Sequence, residues 1–93
     1  MILSFKTSMT EDVFAGLCPK GFPANLVRIA RRKLEAVNVA VDLHDLAVPP
    51  GNKLHSLSKD REGQFSIWVN AQFRVCFVWE DGNASSVEIV DYH

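Results

Sequence analysis

The chain has 93 residues, of which 47% are hydrophobic and 23% charged, and its formal net charge is -1. Such a length holds one domain, residues 1–93, with a modest core, and the composition excludes extended disorder. Near-neutral charge excludes a broadly basic nucleic-acid binder, so any RNA must be gripped by a local patch.

Ile2 to Lys6 is a short strand candidate able to cover a sheet edge. Ser8 and Glu11 have capping-box spacing and predict a helix from Ser8 to about Leu17. Pro19, Gly21 and Pro23 break that helix and prepare the next. Leu26, Ala30, Leu34, Val37 and Val41 form an apolar stripe, predicting a helix from Ala24 to about Val39 packed on a sheet. Arg28, Arg31, Arg32 and Lys33 fall mainly on its other side, either a solvated face or a docking surface for an acidic partner or RNA. Asp42 to Leu46 is at most a helical turn, ended by Val48-Pro49-Pro50-Gly51, and His44 reads as a surface residue. Asn52 to Gly63 is a loop in which Leu54 and Leu57 can anchor inward while His55, Lys53, Lys59 and Arg61 project outward.

Three strands close the chain. Gln64 to Val69 alternates like a half-buried strand, and Phe73 to Trp79 is apolar on both faces apart from Arg74, as a central strand is. Asp81-Gly82 favours a hairpin turn, and Ala84 to Val90 returns antiparallel. Continuing its alternation puts Tyr92 on the face of Glu88 and Val90, and Asp91 and His93 on the face of Val87 and Ile89. The expected fold is α+β, two main N-terminal helices on a small antiparallel sheet.

No apolar run is long enough to span a bilayer, and a secretory start is absent, which predicts a cytoplasmic protein without membrane contact. Cys18 and Cys76 lack metal-ligand spacing and read as buried, reduced thiols. No carboxylate cluster joins the histidines, so neither metal nor cofactor is expected. The polar inventory of His55, Lys53, Lys59, Arg61, Arg74, Asp91, Tyr92 and His93 suits metal-free RNA cleavage. That chemistry needs a base for the ribose 2'-OH, cations for the phosphate and an acid for the leaving 5' oxygen.

The run Leu54-His55-Ser56-Leu57, Asp60-Arg61-x-Gly63-Gln64-Phe65-Ser66-Ile67, Val69-Asn70, Phe73-Arg74-Val75-x-Phe77, Gly82-x-Ala84 and Asp91-Tyr92-His93 resembles the HigB toxins of the RelE/ParE superfamily. The likeness covers about the last forty residues, the N-terminal half agreeing in helical layout. It implies a RelE-like fold and a ribosome-dependent mRNA endonuclease silenced by a helix-turn-helix, HigA-like antitoxin. Operator DNA would be met only through the toxin-antitoxin complex. By position, His55, Asp91, Tyr92 and His93 correspond to the catalytic set and Arg74 to a phosphate-binding arginine. Lys53, Lys59 and Arg61 would add RNA contacts. The carboxylate of a terminal His93 would favour its imidazolium, suiting it to the acid role. The sequence departs from the family pattern at Ser56, Ser58 and Trp68, where proline, lysine and arginine are usual, which predicts a less positive groove and weaker activity. The resemblance leaves two rivals, a gyrase-inhibiting toxin and a catalytically weak, antitoxin-bound co-regulator.

Overall fold

The computed structural model describes residues 1–92, and His93 lies outside them. Helix α1 spans Ser8–Phe14 and helix α2 spans Val27–Val39, the latter entered through a 3-10 turn at Ala24–Leu26. A four-stranded antiparallel sheet follows in the order β1 (His55–Ser56), β2 (Gln64–Trp68), β3 (Phe73–Glu80) and β4 (Asn83–Asp91). The expected α+β architecture is present, and β1 is the strand that the sequence did not announce, since two residues are too few for alternation to register.

The helices cover one face of the sheet. Ala30, Leu34 and Val37 on α2 and Val13 on α1 are fully buried, as are Ile67, Val75, Phe77 and Val87 on the strands. Fully burying one of the larger of these side chains contributes about 1.5–3 kcal/mol. The apolar stripe of α2 ends before Val41, which is 82% exposed, because the helix stops at Val39 and the buried Ala40 turns the chain away. Lys33 leaves the basic group: three residues after Ala30 and four before Val37, it sits beside the buried stripe and donates to Asn52. Arg28, Arg31 and Arg32 remain exposed, with Arg31 Nε donating to the Phe14 carbonyl.

Capping of α1 falls one residue earlier than expected. Thr7 is the N-cap and its hydroxyl accepts from Thr10 N. Thr10, wholly buried, in turn accepts from Ile89 N at 2.9 Å, tying α1 to β4. The helix also ends at Phe14 rather than Leu17. Residues 1–6 run parallel to β4 through bridges at Ile2–Ala84 and Phe5–Val87, so the N-terminal segment does cover that edge, as isolated bridges rather than a strand. Cys76 is buried as expected, whereas Cys18 is exposed because it lies in the loop after α1, not in the core.

Two irregularities in the β3–β4 hairpin decide which side chains reach the open face. Asp81 and Gly82 both have positive φ, 53° and 77°, the geometry a two-residue hairpin of right-handed twist requires. Further along, Val78 pairs with Ser85 but Cys76 with Glu88, so β4 carries one extra residue there. Ser86, at φ 51°, absorbs it. The bulge reverses the alternation, turning Val87 and Ile89 toward the helices and Glu88, Val90 and Tyr92 to the opposite face.

Candidate active site

The face of the sheet away from the helices is built in cross-strand rows. Trp68 pairs with Arg74, and Arg74 with Val90. His55 pairs with Ser66 on the other side of β2, and Lys53, just before β1, reaches over Trp68. The result is a row in which Lys53 Nζ lies 4.2 Å from the Trp68 ring centre and the Arg74 guanidinium carbon 4.0 Å from it. Arg74 also stands 5.1 Å from the Tyr92 ring. Cation, indole, cation and phenol therefore alternate along one edge of the site. The next row is His55, Ser66, Cys76 and Glu88.

These rows floor an open pocket of about 430 Å³, lined by Lys53, Leu54, His55, Leu57, Ser66, Trp68, Arg74 and Tyr92. Four of the residues read from the sequence thus share one cavity: Lys53, His55, Arg74 and Tyr92. Leu54 is half-buried against the core, acting as the expected inward anchor. His55 is exposed, and among the described residues its imidazole has no hydrogen-bond partner, so both nitrogens can meet a ligand. Arg74 Nη1 donates to the carbonyls of Asn70 at 2.8 Å and Ala71 at 3.0 Å, which fixes the guanidinium plane and leaves Nε and Nη2 for other acceptors.

Of the other expected residues, Asp91, Arg61 and Lys59 lie outside this pocket lining. Asp91 pairs with Phe73 at the sheet's end and accepts from Gln72 Nε2 at 3.3 Å, on the face opposite Tyr92. Arg61 donates to Glu88 at 2.8 Å and to Gln64 at 3.2 Å. Glu88 also meets Lys6 at 3.6 Å, so its largely buried carboxylate is neutralised twice. Its hydrogen bond raises the Arg61 pKa, holding that guanidinium firmly in its charged form. Lys59 sits in a 3-10 turn after β1, outside the pocket lining. His93 is outside the described residues.

Sequence reasoning missed the pin beneath the site. Asn52 is 1% exposed; its Oδ1 accepts from Lys33 Nζ at 2.5 Å, and its Nδ2 donates to the carbonyls of Leu46 at 3.2 Å and Val48 at 3.3 Å. Lys53 follows in the left-handed conformation, φ 49° and ψ 52°, which redirects the chain so that the lysine stands over Trp68 and His55 enters β1. A buried asparagine beside a helical lysine leaves no pattern in the primary structure.

A second groove, of about 640 Å³, runs along the exposed side of α2 between Gly16, Val27, Arg28, Arg31, Arg32 and Glu35. It lies on the helical layer, on the other side of the sheet from His55 and Arg74.

Comparison with known proteins settles the family. The profile of the RelE-like toxins of type II toxin-antitoxin systems, HigB, matches residues 4–93. This chain belongs to the HigB-like toxin family. It is 40% identical over 85 residues to "Toxin HigB-1" of Vibrio cholerae serotype O1, covering 90% of each chain. It is 36% identical over 93 residues to "Endoribonuclease HigB" of Proteus vulgaris, covering 100% of each. The two helices on a four-stranded antiparallel sheet agree with the RelE-like fold that the sequence implied. Among the described residues of this HigB-like chain, no helix is long and apolar enough to cross a membrane.

Proposed function

We propose that the protein is a ribosome-dependent mRNA endonuclease of the cytoplasm, cutting by metal-free acid–base chemistry and held silent by a helix-turn-helix antitoxin. Ribosome, mRNA and antitoxin are its partners in this reading, and operator DNA is met through the antitoxin complex. The observation that carries it is the shared pocket of Lys53, His55, Arg74 and Tyr92. The family of type II toxins and the relative named an endoribonuclease support it.

The reaction assigned is attack of a ribose 2' oxygen on the adjacent phosphorus. One histidine removes the 2'-OH proton, the phosphate gains negative charge, and the P–O5' bond breaks as an acid protonates the departing oxygen. His55 and His93 share the base and acid roles. Arg74 and Lys53 face the phosphate, where preorganised cations stabilise the charge that develops. Tyr92 stacks on a base or donates a proton, and Asp91 orients and charge-stabilises a histidine. Lys59 and Arg61 contribute to the field around the mRNA rather than to the pocket wall.

Adding purified protein to a cell-free translation reaction and mapping mRNA 5' ends tests this directly. Cuts should require ribosomes and should fall by at least a hundredfold with His55→Ala or His93→Ala, in line with loss of a general acid or base. Intact mRNA with folded wild-type protein would refute the nuclease and move the search to gyrase inhibition or transcriptional co-regulation.

A further inference from the structure

The tryptophan at the centre of the cation row has a role of its own. We propose that Trp68 is a positioning residue: its ring is the spacer that holds Lys53 and Arg74 apart at a set distance so that together they grip one backbone phosphate, and it is not a platform for a base. This rests on the RNA-cleaving reading of the site.

Three observations carry the assignment. Arg74 is the register partner of Trp68 on β3, Lys53 reaches it from the segment that leads into β1, and both cations lie over the ring at 4.0 and 4.2 Å respectively. Ring faces engaged by cations are closed to base stacking. Arg74 is further held between Trp68 and Tyr92 with Nη1 anchored on backbone carbonyls, so its remaining N–H groups keep one direction. Lys53 has its backbone set by the left-handed turn after Asn52, and the indole then decides where its flexible stem ends. The Lys53 ammonium and the Arg74 guanidinium, like charges both, would otherwise repel each other and swing into water. With an aromatic quadrupole between them, each is attracted to the shared ring and the pair stays ready for an anion.

The test uses 15N-labelled full-length protein and two short oligoribonucleotides of equal charge, one with uracil bases and one abasic throughout. Wild type, Trp68→Phe and Trp68→Leu are titrated with each by NMR. Phenylalanine retains a π face, whereas leucine fills space without one. Trp68→Phe should bind within about threefold of wild type, and Trp68→Leu about tenfold more weakly on both oligonucleotides, equivalent to about 1.4 kcal/mol. A loss confined to the base-bearing oligonucleotide would make Trp68 a stacking platform and overturn the proposal. Equal binding by all three proteins, or no binding of the abasic strand by wild type, would overturn it as well. Wild-type protein alone gives an independent reading, since the Arg74 side-chain resonances should be displaced by the indole ring current; unshifted resonances would refute the stack whether or not a variant folds. Parallel cleavage assays in translating extract separate the two ideas: the expected binding pattern with intact mRNA retains the grip and removes the nuclease, while cleavage indifferent to Trp68→Leu does the reverse.

Discussion

Replacing Asn52 by alanine should damage the molecule more than its single exposed percentage point of surface would indicate. The side chain makes three hydrogen bonds, one from the Lys33 ammonium and two to the carbonyls of Leu46 and Val48. A neutral bond contributes about 0.5–1.5 kcal/mol net and one to a charged group about 1.5–3. Lys33 is only half-buried and can turn toward water, so its share belongs at the low end. The expected loss is about 3 kcal/mol. In a domain of this size that lowers Tm by roughly 12–24 °C, at about 4–8 °C for each kcal/mol. Lys33→Met, which leaves only Oδ1 unpaired, should cost about 1 kcal/mol, and the double variant should be less destabilised than the sum because the two share a bond. Circular dichroism melts of the four proteins give these values. Because Asn52 precedes Lys53 and His55, cleavage measured well below the melting point should also fall for Asn52→Ala. A Tm within about 3 °C of wild type, or strict additivity with Lys33→Met, would refute the pin.

Other consequences are more quickly stated. Arg61→Ala should reduce cleavage less than threefold while costing about 1 kcal/mol of stability, because its guanidinium is occupied by Glu88 in a partly exposed pair; Arg74→Ala should cut cleavage more than tenfold with a smaller melting shift. The reverse order would return Arg61 to the phosphate. In native protein a thiol reagent should modify Cys18 and spare Cys76, and in denaturant both should react; two reactive thiols in the native state would contradict the burial of Cys76. Burial pushes the Cys76 thiol above its usual 9.0, with Arg61 opposing. A raised folded pKa means stability that is complete below the unfolded value and declines as pH rises through the interval up to the folded one. Urea titrations should therefore show wild type losing stability above about pH 9 more steeply than Cys76→Ala, and equal slopes would rule the burial effect out.

Much of the scaffold could be read from the chain because local signals and tertiary packing agree there. The apolar run of β3, the stripe Ala30-Leu34-Val37 and the Asp81-Gly82 turn each state one answer in both period and burial. Capping of α1 was displaced because Thr7 and Ser8 are both competent caps, and the choice is made by Thr10, whose hydroxyl must reach Ile89 across the core. Lys33 was grouped with the arginines although its spacing from Ala30 and Val37 already marks it as a neighbour of the buried stripe. The grouping of His55, Arg74 and Tyr92 came from the chemistry of the polar side chains and from family resemblance, not from spacing, since they stand on three separate segments. Trp68 as the middle of a cation row was not visible, because its partner Lys53 is placed by a two-residue strand and a left-handed turn that carry no periodic signature.

The bulge at Ser86 shows how narrowly the site depends on backbone register. Up to Ser85 the hairpin alternates from the Asp81-Gly82 turn, and on that count Glu88 and Tyr92 would face the helices while Val87 and Ile89 met solvent. One extra residue in β4 reverses this, burying Val87 and Ile89 and delivering Tyr92 beside Arg74. The same residue is where the N-terminal segment fastens, Ser86 N donating to Ser4 Oγ at 2.9 Å and Val87 N to the Ser4 carbonyl at 3.1 Å. Positive φ at Ser86 is conformationally costly and persists because those bonds and the burial of Val87 outweigh it. The opening residues, far from the pocket in sequence, thus hold the turn of backbone that gives the pocket its tyrosine.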